Sequence, residues 1–374
     1  MSAHLPAITR VELRRVDLPF VTPFRTSFGV QEVRQAILVR ALGDEVEGWG
    51  EVVCGVDPLY SSEYVAGAWD VLVRYLVPAI LDRPVQPDDV ARLTAPIKGH
   101  RMAKAGLEMA VLDARLRAAG TSLADHLGGV RASVPVGVSV GIADSHAQLV
   151  DRIQQRLDEG YGRIKLKIEP GWDLDMLAAV RSRLGDDVVL QVDANAAYRR
   201  ADADHLVNLD EFGLVLVEQP LPASDLVGHA RLAARMATPM CLDESITSAD
   251  VAADALELGA AAIVNIKPGR VGGLLEARRV HDLCLAREVP VWCGGMLETG
   301  IGRAANLGLA SLPGFTLPGD ISSSSRYFHR DVTAPFVAHD GWMAVPNGPG
   351  LGVDVDMAVV AAATARQEVV SADG

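Results

Sequence analysis

The chain lacks most of what a secreted, membrane-spanning or nucleic-acid-binding protein needs. Its four cysteines (Cys54, Cys241, Cys284 and Cys293) share no C-x-x-C spacing, so they read as reduced thiols of a cytoplasmic protein rather than a disulfide frame. No apolar run approaches the roughly 18 residues of a membrane span, and the stretch 71–81 is interrupted by Arg74 and Pro78. Residues 1–15 mix His, Pro, Glu and Arg, unlike a signal peptide. Basic residues are outnumbered, 35 Lys and Arg against 48 Asp and Glu, which leaves a formal charge of −13. That balance argues against nucleic acid or a membrane surface as partner. What the chain does have is length and apolar content. Its 374 residues, 49% of them hydrophobic, suffice for one large domain or two.

The first 131 residues read as an α+β unit. Residues 8–19, 34–43 and 46–53 are strand-like, with a Gly-Asp turn at 43–44, and suggest a meander. Residues 61–81 and 101–120 read as helices. The second carries Leu107, Ala110, Val111, Ala114 and Ala118 at helical spacing, with Gly120 at the C-cap position. PFRTSFG (23–29) reads as a loop, suited to a lid or to turn packing. From residue 132 the texture changes. Short β-branched runs at 134–142, 161–169, 188–195, 212–220, 238–245, 261–268 and 289–295 alternate with helical patterns about every 25 residues, and FTLPGD (315–320) is a shorter eighth. Strands and helices alternating at that period predict a modified (β/α)7β barrel of the TIM type over 132–322. A doubly wound open sheet is the alternative. The Gly/Pro-rich, strand-like tail, 323–374, is expected to return to the N-terminal capping domain.

The strand ends hold the chemistry. Lys167, Asp193, Glu218, Asp243 and Lys267 are spaced by 26, 25, 25 and 24 positions, the same place in successive βα units. In a βα barrel that is the face where active sites assemble. One carboxylate at a strand end is ordinarily a helix cap or a salt bridge; five charged residues at one period are not explained that way. Three carboxylates with no histidine suit a hard divalent cation, Mg²⁺ or Mn²⁺. The strand period of two puts Lys165 on the face of Lys167, Asn195 on that of Asp193, and Ser245 on that of Asp243. Two ammonium groups so close predict one amine that acts as a base near neutral pH. Arg270 is placed either to hold Lys267's pKa down or at the surface. A cation between two lysines suits removal of a proton beside a carboxylate, with stabilisation of the resulting enediolate. GGMLETGIG (294–302) offers the amides of Gly295 and Met296 to an anion or is turn glycine alone, and Glu298 reads as a substrate contact or, in preference, a helix-start carboxylate. Ser139 points into the barrel mouth or fills the barrel. Cys241 and Cys293 read as barrel-lining small hydrophobes.

KLK (165–167), DAN (193–195), EQP (218–220), DES (243–245) and NIKPGRVGG (265–273) resemble the muconate-lactonising subgroup of the enolase superfamily. GHRMAKAGLEMAVLDA (99–114) and WCGGMLETGIGRAAN (292–306) narrow the likeness to the N-acylamino-acid racemase / o-succinylbenzoate synthase family. The resemblance implies a capping domain on a modified barrel, a divalent metal on Asp193, Glu218 and Asp243, and Lys167 and Lys267 as an acid/base pair on opposite faces of the substrate α-carbon. Lys165 would support Lys167, with Asn195 and Glu244 beside the metal site. Ser139, Gly295 and Met296 would touch the acyl group of a small carboxylate substrate, beneath the 20s loop with Phe24 and Arg25. It further implies a homo-oligomer. Where dipeptide epimerases hold an ammonium with Asp-x-Asp, this chain has Gly-Gly-Met, which fits an acylated amine, and muconate cycloisomerases lack the GGMLETGIGRA pattern. The implied activity is racemisation of N-acylamino acids, N-succinyl favoured, or the dehydration that makes o-succinylbenzoate in menaquinone biosynthesis, or both.

Overall fold

The computed structural model describes residues 7–27, 29–44 and 46–372. Three antiparallel strands open the chain: β1 (Arg10–Thr26), β2 (Gly29–Leu42) and β3 (Glu47–Val52). The C-terminal strand Thr364–Ser371 pairs antiparallel with β1, giving a four-stranded sheet. Alternation along β1 and β2 puts Val11, Leu13, Ile37 and Val39 inside, where they pack against the helix Arg101–Ala119. That helix ends where the sequence predicts, with Gly120 at φ 67°, but Ala118 is exposed because the last turn has already left the core. The predicted helix at 61–81 is shorter. Val65–Val71 is α-helical, one π turn follows at Leu72–Leu76, and the chain turns away beside Pro78, which has no N–H to extend the ladder.

Residues 23–26 and 29, expected in a loop, are strand. β1 and β2 run on past a bulge between Pro19 and Phe24, pairing Phe24 with Gln31, Arg25 with Val30 and Thr26 with Gly29. The hairpin tip rests on the barrel, where the Ile142 amide donates to the Arg25 carbonyl at 3.2 Å. Contact this close needs glycine at 141, since a Cβ there would stand 2.6 Å from that carbonyl oxygen. Phe28 lies outside the described residues.

Beyond β4 (Ser133–Pro135), the chain builds a parallel sheet from β5 (Val138–Val140), β6 (Ile164–Lys167), β7 (Leu190–Asp193), β8 (Val217–Glu218), β9 (Met240–Leu242), β10 (Ile263–Ile266) and β11 (Val291–Cys293). Each strand neighbours the next in sequence order, as βα repeats require. The run 315–320 forms no regular strand, yet it bridges the two edges. Phe315 pairs with Val291 and Gly319 with Val136, so the sheet closes. The fold is therefore the modified (β/α)7β barrel with an antiparallel cap. The tail divides between the layers: Trp342–Ala344 pairs with β4, while Thr364–Ser371 joins the capping sheet. Among the described residues no helix is long and apolar enough to cross a membrane, and all four cysteines are buried and free.

Candidate active site

Strand register decides which charges meet. Lys167 pairs with Asp193 and Asp193 with Glu218. Glu218 then pairs with Cys241 rather than Asp243, so the series climbs two residues at that step; a closed, tilted sheet requires such a stagger. The result is a buried row of alternating sign. The Lys165 ammonium stands 2.9 Å from Asp193, 2.8 Å from Glu218 and 3.0 Å from Asp320, and 4.8 Å from the centre of the Trp292 ring. Lys167 donates to Asp193 at 2.5 Å and to the Asn195 side-chain carbonyl at 2.7 Å. Asn195 in turn donates to Glu244 at 2.9 Å. Lys267 donates to Asp243 at 2.7 Å and to the Tyr60 hydroxyl at 3.1 Å. The Arg270 guanidinium also bonds Asp243, and it donates to the Ile246 carbonyl at 2.6 Å. Asn195 and Gln219 adopt φ of 44° and 40°, a left-handed backbone that turns each chain sharply off its strand. Gln219 uses the turn to bind the next strand end, accepting from the Asp243 and Ser245 amides at 2.9 and 3.2 Å.

The charges shift one another strongly. Burial lowers Lys267, but Asp243 and the neighbouring Tyr60 more than reverse this, and its pKa stands above the ordinary lysine value. Lys165 is likewise raised, with Asp193, Asp320 and Glu218 overcoming the penalty of burial. The expectation of a lysine brought down by its neighbours is thus not met at these two positions. Each ammonium lies within 3.0 Å of a carboxylate, and Arg270, which does lower Lys267, is itself paired with Asp243. Glu218 is pushed up to about 7, first by burial and then by the Asp193 carboxylate. Glu244 rises to about 8 by burial and by Asp243.

Asp193, Glu218 and Asp243 are buried side by side, and one oxygen of the neighbouring Glu244 accepts no hydrogen bond. Buried carboxylates grouped in this way, with oxygen as the donor throughout, suit a hard divalent ion. As they stand, the lysines meet that charge, and among the described residues no three His, Cys, Asp or Glu side chains ring a common point. An ion would compete with the ammonium groups for the same oxygens.

Above this row lies a cavity partly open to solvent. Lys165, Lys167 and Lys267 form its floor; Ser139, Asn195, Gly295 and Met296 line it, as does Phe24 from the hairpin. Arg25 does not line it. Its guanidinium lies 3.8 Å from both Asp144 and Glu169, outside the opening, because neighbouring residues on a strand point to opposite faces. Glu298 does line the cavity and accepts from Asn306 at 2.9 Å. The start of the helix Gly300–Ala310 is instead held by Glu51 of the capping sheet, through the Thr299 and Gly302 amides at 3.1 and 3.0 Å.

Two family profiles cover nearly the whole chain: "Mandelate racemase / muconate lactonizing enzyme, N-terminal domain" over residues 8–128 and "Enolase C-terminal domain-like" over 148–359. An N-succinylamino acid racemase from an Amycolatopsis species is 62% identical over 347 residues, covering 92% of this chain and 94% of that protein. The chain belongs to the enolase superfamily. Within it, this is an enzyme of the N-acylamino-acid racemase / o-succinylbenzoate synthase family. An o-succinylbenzoate synthase from Geobacillus kaustophilus is 49% identical over 352 residues, 93% of this chain and 94% of that one. The solved structure of an enolase superfamily member from Listeria innocua superposes with a TM-score of 0.93 at 36% identity, covering 98% and 99% of the two chains. Enzymes of this superfamily use a divalent metal and act on small carboxylate substrates.

Reading the sequence by strand ends missed four residues. Asp320 closes the eighth run and was within reach of the same rule. Tyr60, Arg34 and Glu51 come from the cap, where no period announces them.

Proposed function

We propose that this enzyme racemises N-acylamino acids, N-succinyl substrates above others, by 1,1-proton transfer. The observation that carries the reading is that Lys167 and Lys267 line one cavity from the ends of β6 and β10, with the three carboxylates on or just beyond the strands between them. Inversion needs an acid and a base on the two faces of one carbon, and this arrangement supplies them. Asp193, Glu218 and Asp243 would hold Mg²⁺ or Mn²⁺. Such an ion would supply positive charge to the substrate carboxylate as the enediolate forms, and to the carboxylates that otherwise keep the lysines protonated. Lys167 takes the α-proton of one enantiomer, Lys267 returns a proton to the opposite face, and the roles reverse for the other enantiomer. Lys165, fixed by three carboxylates, holds Asp193 in line with Lys167. Asn195 ties Lys167 to Glu244, and Arg270 orients Asp243 beneath Lys267. Ser139, Gly295, Met296 and Phe24 enclose the acyl group.

The likeness to o-succinylbenzoate synthases supports a second activity on the same residues. A syn-elimination of water needs one lysine as base and then acid, with the other remaining an ammonium beside the enediolate. A cytoplasmic homo-oligomer completes the proposal. The test is proton NMR in D₂O with N-succinyl-L-phenylalanine and Mg²⁺ or Mn²⁺, followed by chiral analysis. Metal-dependent loss of the α-proton with appearance of the D-enantiomer is expected. Absence of both would overturn the racemase reading and make the o-succinylbenzoate precursor the next substrate.

A further inference from the structure

The cap side of the cavity contains a buried cation whose hydrogen bonds are not filled. Arg34, on β2, is 3% exposed and lines the cavity. One terminal nitrogen donates to the Cys54 carbonyl at 3.1 Å, while Nε and the other terminal nitrogen have no hydrogen-bond partner. The nearest carboxylate, Glu51, is 4.0 Å away. Glu51 is anchored away from Arg34 by the bonds its oxygens accept from the Thr299 amide and hydroxyl, the latter at 2.7 Å, and from the Gly302 amide. Nε and a terminal nitrogen form one edge of the guanidinium, the pair that grips a carboxylate with two parallel bonds. A buried guanidinium left so under-bonded is costly unless the missing acceptors arrive with a ligand.

The other charged groups around this part of the cavity are spoken for. Asp320 is taken by Lys165 and Arg163, at 3.0 and 2.7 Å, and Glu298 accepts from Asn306. Arg303 spends both terminal nitrogens on the Glu298 and Ser322 carbonyls and leaves Nε alone open. Arg34 therefore keeps one whole edge, Nε and a terminal nitrogen, without a hydrogen bond.

We infer that Arg34 receives the distal carboxylate of a dicarboxylic acyl group and is the residue that selects N-succinyl over neutral N-acyl substrates. The inference rests on the N-acylamino-acid reading of the cavity and adds to it the source of acyl selectivity. The experiment compares N-succinyl-L-phenylalanine with its succinamoyl isostere, in which the distal carboxylate is an amide, on the Mg²⁺-loaded protein and on Arg34→Gln and Arg34→Lys. The unaltered enzyme should prefer the diacid. Arg34→Gln should lower the ratio of kcat/KM between the two substrates by about 30-fold or more, chiefly through KM for the diacid. Arg34→Lys should restore part of that ratio, because it returns the charge without the two-pronged edge. Equal losses on both substrates, or no preference in the unaltered enzyme, would overturn the inference. If Arg34→Gln fails to fold, the preference of the unaltered enzyme and the Arg34→Lys ratio decide. If the unaltered protein exchanges neither substrate, the racemase reading fails alone. Calorimetry with N-succinylglycine and its amide then decides for Arg34, and equal affinities would sink it.

Discussion

The floor and the roof of the cavity are built on opposite electrostatic plans. On the floor, Lys165, Lys167 and Lys267 each touch at least one of Asp193, Glu218, Asp243 or Asp320 within 3.0 Å. In the roof, Arg34 keeps two nitrogens without a hydrogen bond although it is equally buried, its carboxylate neighbour Glu51 standing 4.0 Å away. A floor in which each charge is answered holds its geometry before substrate arrives, whereas a roof with open donors waits for the ligand to complete it. Chemistry is expected to depend on the first and choice of substrate on the second.

The sharpest way to break this contrast is on the floor. Asp193→Asn should reduce α-proton exchange by about 10³-fold or more, with weaker divalent-ion binding by calorimetry and an unchanged circular-dichroism spectrum. Near-normal exchange would show that the row is structural. Lys267→Ala should slow inversion by about 10²- to 10⁴-fold, while exchange by Lys167 persists for one enantiomer. Equal loss of exchange from both enantiomers would remove the two-face assignment. Tyr60→Phe keeps the ring 4.8 Å from the Lys267 ammonium but removes the hydroxyl that bonds Lys267 and Asp243. A loss of about tenfold in kcat is expected, the scale of one hydrogen bond to a charged group, with KM little changed.

The smallest effect concerns stability at the seam between the two layers. Glu108 on the helix Arg101–Ala119 is buried and raised from 4.5 to about 8 by burial. The folded state therefore holds a proton that the unfolded state has lost at neutral pH. This contribution is fully present below about pH 4.5 and disappears as pH rises through about 8. Glu108→Gln should flatten the fall of the thermal midpoint across that interval, and an unchanged slope would place the titration elsewhere.

How much of this was legible in the sequence follows the same division. The floor could be read because βα repeats return to the same place about every 25 residues, so Lys167, Asp193, Glu218, Asp243 and Lys267 appeared as a series. Their two-residue climb at β8–β9 could not, since stagger belongs to the closed barrel and not to the period. The roof left little trace. Arg34 and Glu51 sit in ordinary strand text; Glu51's role depends on a contact 248 positions away, with Thr299, and Arg34's on the cavity that forms only when cap and barrel meet. The hairpin at 23–29 was misjudged as a loop because Pro19, Pro23 and Gly29 carry turn chemistry, while the strand pairing resumes beyond a bulge that the pattern hides. The resemblance implies Arg25 over the substrate together with Phe24, but strand alternation puts it on the other side.

The seam has one more consequence, for inheritance. Glu51 holds the start of the helix Gly300–Ala310, and Glu108 receives the Leu275 amide at the start of Leu274–Ala286 at 3.2 Å. Gly273, at φ 148°, gives that carboxylate room; a Cβ there would lie 2.2 Å from it. Two barrel helices thus begin on side chains encoded some 170 to 250 codons upstream. A chimaera that takes its cap from one relative and its barrel from another must carry Glu51 with Thr299, and Glu108 with Gly273, as linked pairs. Recombination within this gene is constrained at those two joints before any catalytic residue is touched.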